Sequence, residues 1–92
     1  MGGMSLETVE IYSSTFCTTC NRAKELLARK GVAFAEIEVS VDSGKRREMT
    51  ERSGGRTTIP QVFIGGAHAG GYQELLELDR RGRLDEMLGV TR

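Results

Sequence analysis

The stretch "YSSTFCTTCNRAKELLARKG", residues 12–31, holds both cysteines of the chain, Cys17 and Cys20, where a strand-like pattern gives way to a helical one. Just before it, "TVEIY" (8–12) alternates apolar and polar and is rich in β-branched residues, which predicts a strand. Within it, Ala23, Leu26, Leu27 and Lys30 recur at helical spacing. Arg29 and Lys30 suit the negative end of that helix, and Gly31 suits its C′ stop. After it, "AFAEIEV" (33–39) alternates again and predicts a second strand. The intervening helix is long enough for a right-handed crossover, so the two strands should be parallel.

Working outward, "SGKRREMTERSG" (43–54) is charged, has Met49 as its one clear apolar contact, and reads as a helix ended by Gly54 and Gly55. "QVFI" (61–64) and "AHA" (67–69) flank Gly65-Gly66, a two-residue hairpin signal. "YQELLELDRR" (72–81) reads as a helix with Tyr72, Leu75 and Leu76 on one face, followed by a short helix around Leu84, Met87 and Leu88. The predicted order is β-α-β-α-β-β-α-α, an α/β fold with a four-stranded mixed sheet and helices on both faces. The cysteines then fall at the C-terminal end of the first strand, where open α/β sheets place their chemistry.

At 92 residues the chain is expected to be one domain, spanning 6–92. Residues 1–5, with a second methionine at position 4, read as an expression remnant or a disordered N-terminus. Thirteen Lys+Arg balance 13 Asp+Glu, which argues against nucleic acid or an anionic membrane as the main partner. No apolar run approaches the length of a membrane span, and the N-terminus lacks the basic and apolar regions of a signal peptide. The expected compartment is therefore the reducing cytoplasm, where a lone cysteine pair is more often catalytic or metal-binding than a structural staple.

Cys17 falls at the N-cap or first turn of the first helix, and Cys20 one turn on. Unpaired backbone N–H groups and the macrodipole favour a thiolate there. At such sites thiol pKa values drop from about 8.5 to roughly 3.5–7.5. The three-residue step brings both thiols to one side of the helix, with Cys17 the exposed nucleophile and Cys20 the more buried resolving thiol. Two cysteines and one histidine are too few for a closed four-ligand zinc site, so no metal site is expected. A passive pair of buried thiols is the bland alternative. A Cys-x-x-Cys after a strand and opening a helix in a βαβ unit makes the dithiol–disulfide redox site the preferred reading.

From about Val9 to Leu88 the chain resembles the glutaredoxins, particularly the small bacterial type. The resemblance is carried by "YSSTFCTTC", by "TIP" at Thr58-Ile59-Pro60, and by "HAGGYQELLEL" from His68 onward. It implies a thioredoxin-like fold and glutathione-dependent reduction of protein disulfides and of mixed disulfides with glutathione. By resemblance, Cys17 takes the glutathionyl group and Cys20 resolves it. Pro60 matches a cis-proline facing the active site, with Ile59 offering its backbone to the cysteinyl part of glutathione; a trans proline opening the strand is the alternative. Arg56 matches a Gln or Arg that contacts the glycine carboxylate, or is simply a solvated arginine in a basic stretch. Gly71 and Tyr72 match the turn and helix start whose N–H groups hold the γ-glutamyl carboxylate. The implied glutathione-binding set is Thr19, Arg56, Thr58, Ile59, Pro60, Gly71, Tyr72 and Gln73. His68, the only histidine, is expected to be structural.

The chain departs from the family pattern at four places. Thr18 and Thr19 stand where Pro-Tyr is familiar, so Thr18 should add a donor near the Cys17 sulfur, and an aromatic wall of the groove is lost. Ser14 replaces a common lysine, which should leave the Cys17 pKa less depressed and glutathione more weakly bound. Tyr72-Gln73 replaces a small residue and an aspartate. "SGGRTTIP" carries an additional glycine, which should shift Arg56. Two other functions follow from these departures. One is a glutaredoxin-like thioredoxin reduced by a flavoprotein reductase; the other is a [2Fe–2S] carrier bridged by glutathione between two subunits. The expected partners are glutathione and disulfide-containing or glutathionylated clients, and a monomer is expected.

Overall fold

A computed structural model describes residues 7–90; the expected remnant at 1–5 lies outside the described residues. The elements are β1 (Val9–Ser13), α1 (Thr18–Arg29), β2 (Ala35–Glu38), α2 (Ser43–Arg52), β3 (Gln61–Ile64), β4 (Ala67–Gly70), α3 (Tyr72–Arg80) and α4 (Arg83–Leu88), in the predicted order. The sheet runs β2-β1-β3-β4, with β1 parallel to β2 and antiparallel to β3, and β3 antiparallel to β4. The crossover through α1 thus joins two parallel neighbours, as its length requires.

Side-chain alternation along the central strands sorts the core into two layers. Val9, Ile11, Val62 and Ile64 face α1, α3 and α4, where they join Ala23, Leu26, Leu27, Leu75, Leu84 and Leu88. Tyr12 and Phe63 point the other way and pack with Val39 and Met49 of the α2 side. Met49 is the one buried side chain of α2, so this charged helix is held to the sheet by a single apolar anchor and by polar contacts. Its N-cap is Asp42, whose carboxylate accepts the Lys45 N–H at 3.0 Å.

Three boundaries and faces differ from the pattern. β1 starts at Val9 rather than Thr8 and runs on to Ser13. β2 pairs only over Ala35–Glu38, because its ladder partner β1 supplies register from Glu10 to Ser13; Phe34 and Val39 pack on the core from outside the ladder. On α3, Leu76 is turned outward at 36% exposure. The packed row is Tyr72, Leu75 and Leu78 at three-residue steps, facing α1, α4 and β4. Leu76 lies about 100° further round the helix than Leu75 and misses that contact.

Two turns fix how the chain reaches the site. Gly65 and Gly66 take φ of +59° and +84°, the double left-handed turn that a two-residue hairpin of this hand needs. Gly31, at φ +77°, stops α1. Beside it the Lys30 ammonium reaches Asp79 at 2.5 Å and Asp85 at 3.0 Å, joining the end of α1 to α3 and α4.

Candidate active site

Cys17 is the N-cap of α1, in extended backbone at φ −107° and ψ 111°. Its sulfur accepts the Cys20 N–H at 3.1 Å, and its carbonyl accepts the Asn21 N–H at 3.1 Å. The donor expected from Thr18 is therefore supplied by Cys20 instead, because a capping side chain reaches the N–H groups two and three residues on. Both thiols are free; Cys17 is half-buried and Cys20 wholly buried. Burial, then the hydrogen bond and charge of Cys17, pushes the Cys20 thiol up to about 12, against smaller opposing effects of the Ser14 backbone and Lys24. At neutral pH Cys20 keeps its proton. Ser14, at the position where the family pattern has a lysine, is buried, and its carbonyl accepts the Cys17 N–H at 3.3 Å.

Thr19, Arg56, Thr58, Ile59, Pro60, Gly71, Tyr72 and Gln73 line one open groove of about 200 Å³, so the eight residues expected to hold glutathione are brought together. The additional glycine has not carried Arg56 away from it. The Ile59–Pro60 peptide bond is cis. Among the described residues no backbone hydrogen bond engages Ile59, so its N–H and C=O remain open to a strand-like ligand.

A ninth lining residue, Glu74, was not singled out by the sequence. Its carboxylate receives both terminal nitrogens of Arg56, each at 3.0 Å, and the Gly71 N–H at 2.6 Å. These bonds, that of Arg56 foremost, hold the Glu74 carboxyl below the usual carboxylate range. The sequence signal was present: a glutamate three residues into a helix reaches back to the N-cap N–H.

Behind the groove runs a buried polar chain. Gln61 is wholly buried and donates through Nε2 to the Thr58 carbonyl (3.1 Å) and hydroxyl (3.2 Å), while its Oε1 lies 2.6 Å from His68 Nε2. The His68 ring packs on Phe63, with centroids 5.0 Å apart. Burial, then Arg56, lowers its pKa, and Glu74 opposes them. His68 is thus a support for the Thr58–Pro60 loop, in line with a structural role. On the same face Arg52 donates to the Tyr12 hydroxyl at 2.7 Å and to Glu10 at 2.9 Å, and its guanidinium sits 4.2 Å from the Phe63 ring centroid. Tyr12 in turn donates to Glu48.

A mixed sheet of this order, a cysteine N-cap with its buried partner one turn on, and a cis-proline loop beside an open groove define a thioredoxin-like dithiol protein. The glutaredoxin family model matches residues 9–69. The chain is 49% identical over 83 residues to glutaredoxin 3 of Escherichia coli K12, covering 90% of this chain and 99% of that protein. The solution structure of glutaredoxin from Brucella melitensis matches with 51% identity and a TM-score of 0.77, over 88% of this chain and 87% of that one. A buckwheat glutaredoxin–glutathione complex matches with 32% identity and a TM-score of 0.80, over 90% and 77% of the two chains. The chain belongs to the glutaredoxin family. Its activity is glutathione-dependent thiol–disulfide exchange.

Proposed function

We propose that Cys17 is the nucleophile and Cys20 the resolving thiol, and that the groove from Thr19 to Gln73 holds glutathione. The observation that carries the assignment is the asymmetry of the pair: Cys17 is half-buried at a helix N-terminus with its sulfur accepting an N–H, whereas Cys20 is wholly buried and kept protonated. The Cys17 thiolate attacks the glutathionyl sulfur of a mixed disulfide, and the client leaves as a thiolate. A second glutathione thiolate then attacks the glutathionyl–Cys17 bond, giving oxidised glutathione and restoring Cys17. With a protein disulfide, Cys20 loses its proton and attacks the Cys17–client bond. The client leaves reduced and the enzyme keeps a Cys17–Cys20 disulfide, which two glutathione molecules reduce.

The groove supports the ligand in three ways. Ile59 presents an unengaged peptide edge; Arg56 is a bidentate carboxylate receptor; and the Gly71 N–H opens α3. Residues 6–92 act as one such unit, working in the cytoplasm as a monomer on glutathionylated or disulfide-bearing clients. Among the described residues no helix is long and apolar enough to cross a membrane.

A [2Fe–2S] cluster does not fit the residues of one chain, since no group of three or more His, Cys, Asp or Glu able to hold a metal occurs among those described. Such a cluster would depend on ligands from glutathione and a second copy. Parallel assays test the reading. Reduction of a glutathionylated peptide should proceed with glutathione and its reductase. Turnover with thioredoxin reductase alone would make the protein a glutaredoxin-like thioredoxin instead.

A further inference from the structure

The Glu74 side chain does not follow α3 outward but folds back over the start of the helix. A Cβ placed on Gly70 would lie 2.6–2.8 Å from its carboxyl and Cβ atoms, and one on Gly71 would lie 3.4 Å from Oε1 and 3.2 Å from the Pro60 carbonyl. The Gly70-Gly71 pair therefore leaves the space that the carboxylate fills. Once there, it takes both terminal nitrogens of Arg56 and the Gly71 N–H. These are the charge-bearing fork and the helix-start donor best suited to a ligand carboxylate.

We propose that Glu74 sets the groove's affinity for glutathione by acting as an internal carboxylate, held on the Arg56–Gly71 anion position until a carboxylate of the ligand takes its place. The inference rests on the groove being the glutathione site. Binding is then an exchange: the ligand must displace Glu74 from Arg56 and the Gly71 N–H, so only part of the affinity this position could supply is realised. Two carboxylates cannot share it without like-charge repulsion. Glu74 has somewhere to go, since its side chain is 48% exposed. A substrate without a carboxylate has no use for this position and is not penalised by its occupant.

The test compares Glu74→Gln with wild type on two mixed disulfides of one peptide, glutathionyl and 2-mercaptoethanol-derived, with Arg56→Ala as the reference for the groove. The amide oxygen of Gln can still accept the Gly71 N–H, so the start of α3 is kept while the charge on Arg56 is removed. For a half-exposed ion pair, the KM for the glutathionylated peptide should fall about two- to fivefold, with no matching fall for the mercaptoethanol substrate. Arg56→Ala should raise the glutathionyl KM alone. If Arg56→Ala leaves that KM unchanged, the groove assignment is wrong and the inference goes with it. If Arg56→Ala raises it but Glu74→Gln does not lower it, the groove stands and the inference is overturned. An equal fall for both substrates overturns it as well. Should Glu74→Gln disturb folding, seen as lost helical signal, Glu74→Asp keeps the charge with one methylene less reach. It should lower the glutathionyl KM by a smaller factor, and an unchanged or higher KM overturns the inference.

Discussion

Replacing Gln61 with leucine should loosen the loop that presents Ile59 while leaving the cysteines in place. Gln61 is wholly buried on the α2 side of β3, and its amide makes three hydrogen bonds, two to Thr58 and one to His68. Leucine fills much the same volume, so the loss is polar rather than a cavity. Each such bond contributes about 0.5–1.5 kcal/mol net. Thr58 is exposed and can turn to water, whereas His68 is half-buried and loses its closest partner. The sum is about 1–3 kcal/mol, which for a domain of this size lowers Tm by roughly 10 °C. The Thr58–Pro60 segment then loses its side-chain hydrogen bonds to the sheet and keeps only the packing of Ile59 on the Tyr12–Phe63 cluster, so the KM for a glutathionylated peptide should rise while alkylation of Cys17 proceeds as before. Thermal unfolding of the reduced protein and a KM series measure both. A variant with wild-type unfolding and wild-type KM would refute the idea that this chain of bonds positions the groove.

Met49→Ala removes the only buried side chain of α2 from its contacts with Tyr12, Val39 and Phe63, and should cost about 2–4 kcal/mol in denaturant unfolding; a loss under about 1 kcal/mol would mean that polar contacts alone hold α2. The folded chain binds a proton on His68 less readily than the unfolded chain, so that part of stability is complete above pH 6.5 and is lost as pH falls through the lower folded value. His68→Asn should flatten the stability curve over that window, and an unchanged curve would contradict the burial of the ring. In a Cys17→Ser variant, where burial still raises the Cys20 pKa, the rate of Cys20 alkylation should keep climbing above pH 9.0; levelling near that value would show an ordinary accessible thiol.

The parts of the fold readable from the chain are those set by local chemistry. Gly31 and Gly65-Gly66 adopt the left-handed backbone that their turn positions demand, and the change of period narrows Cys17 to the N-cap or first turn of α1, of which it is the N-cap. Cys20 followed from the three-residue step. Leu76 is not placed by the pattern, because neighbours three and four residues away lie equally near on a helix, and only the seating of α3 against α1 and α4 decides between them. β2 is shorter than its alternating pattern, because alternation does not reveal how much of an edge strand finds a partner. Glu74 passed as one more charge on α3, since its backward fold depends on two glycines leaving room and on Arg56 arriving from another segment. Gln61 looked like an ordinary strand residue; its role depends on which face of β3 meets Thr58 and His68.

The most direct test of the cysteine roles is to find where glutathione goes. Each single cysteine variant is mixed with a glutathionylated peptide, and the protein is mapped by mass spectrometry alongside turnover. Cys20→Ser should carry one glutathionyl group on Cys17 and still turn over the mixed disulfide. Cys17→Ser should carry none and be inactive, because the thiol left to it is buried and protonated. A glutathionyl group on Cys20, or comparable turnover by Cys17→Ser, would contradict the assignment.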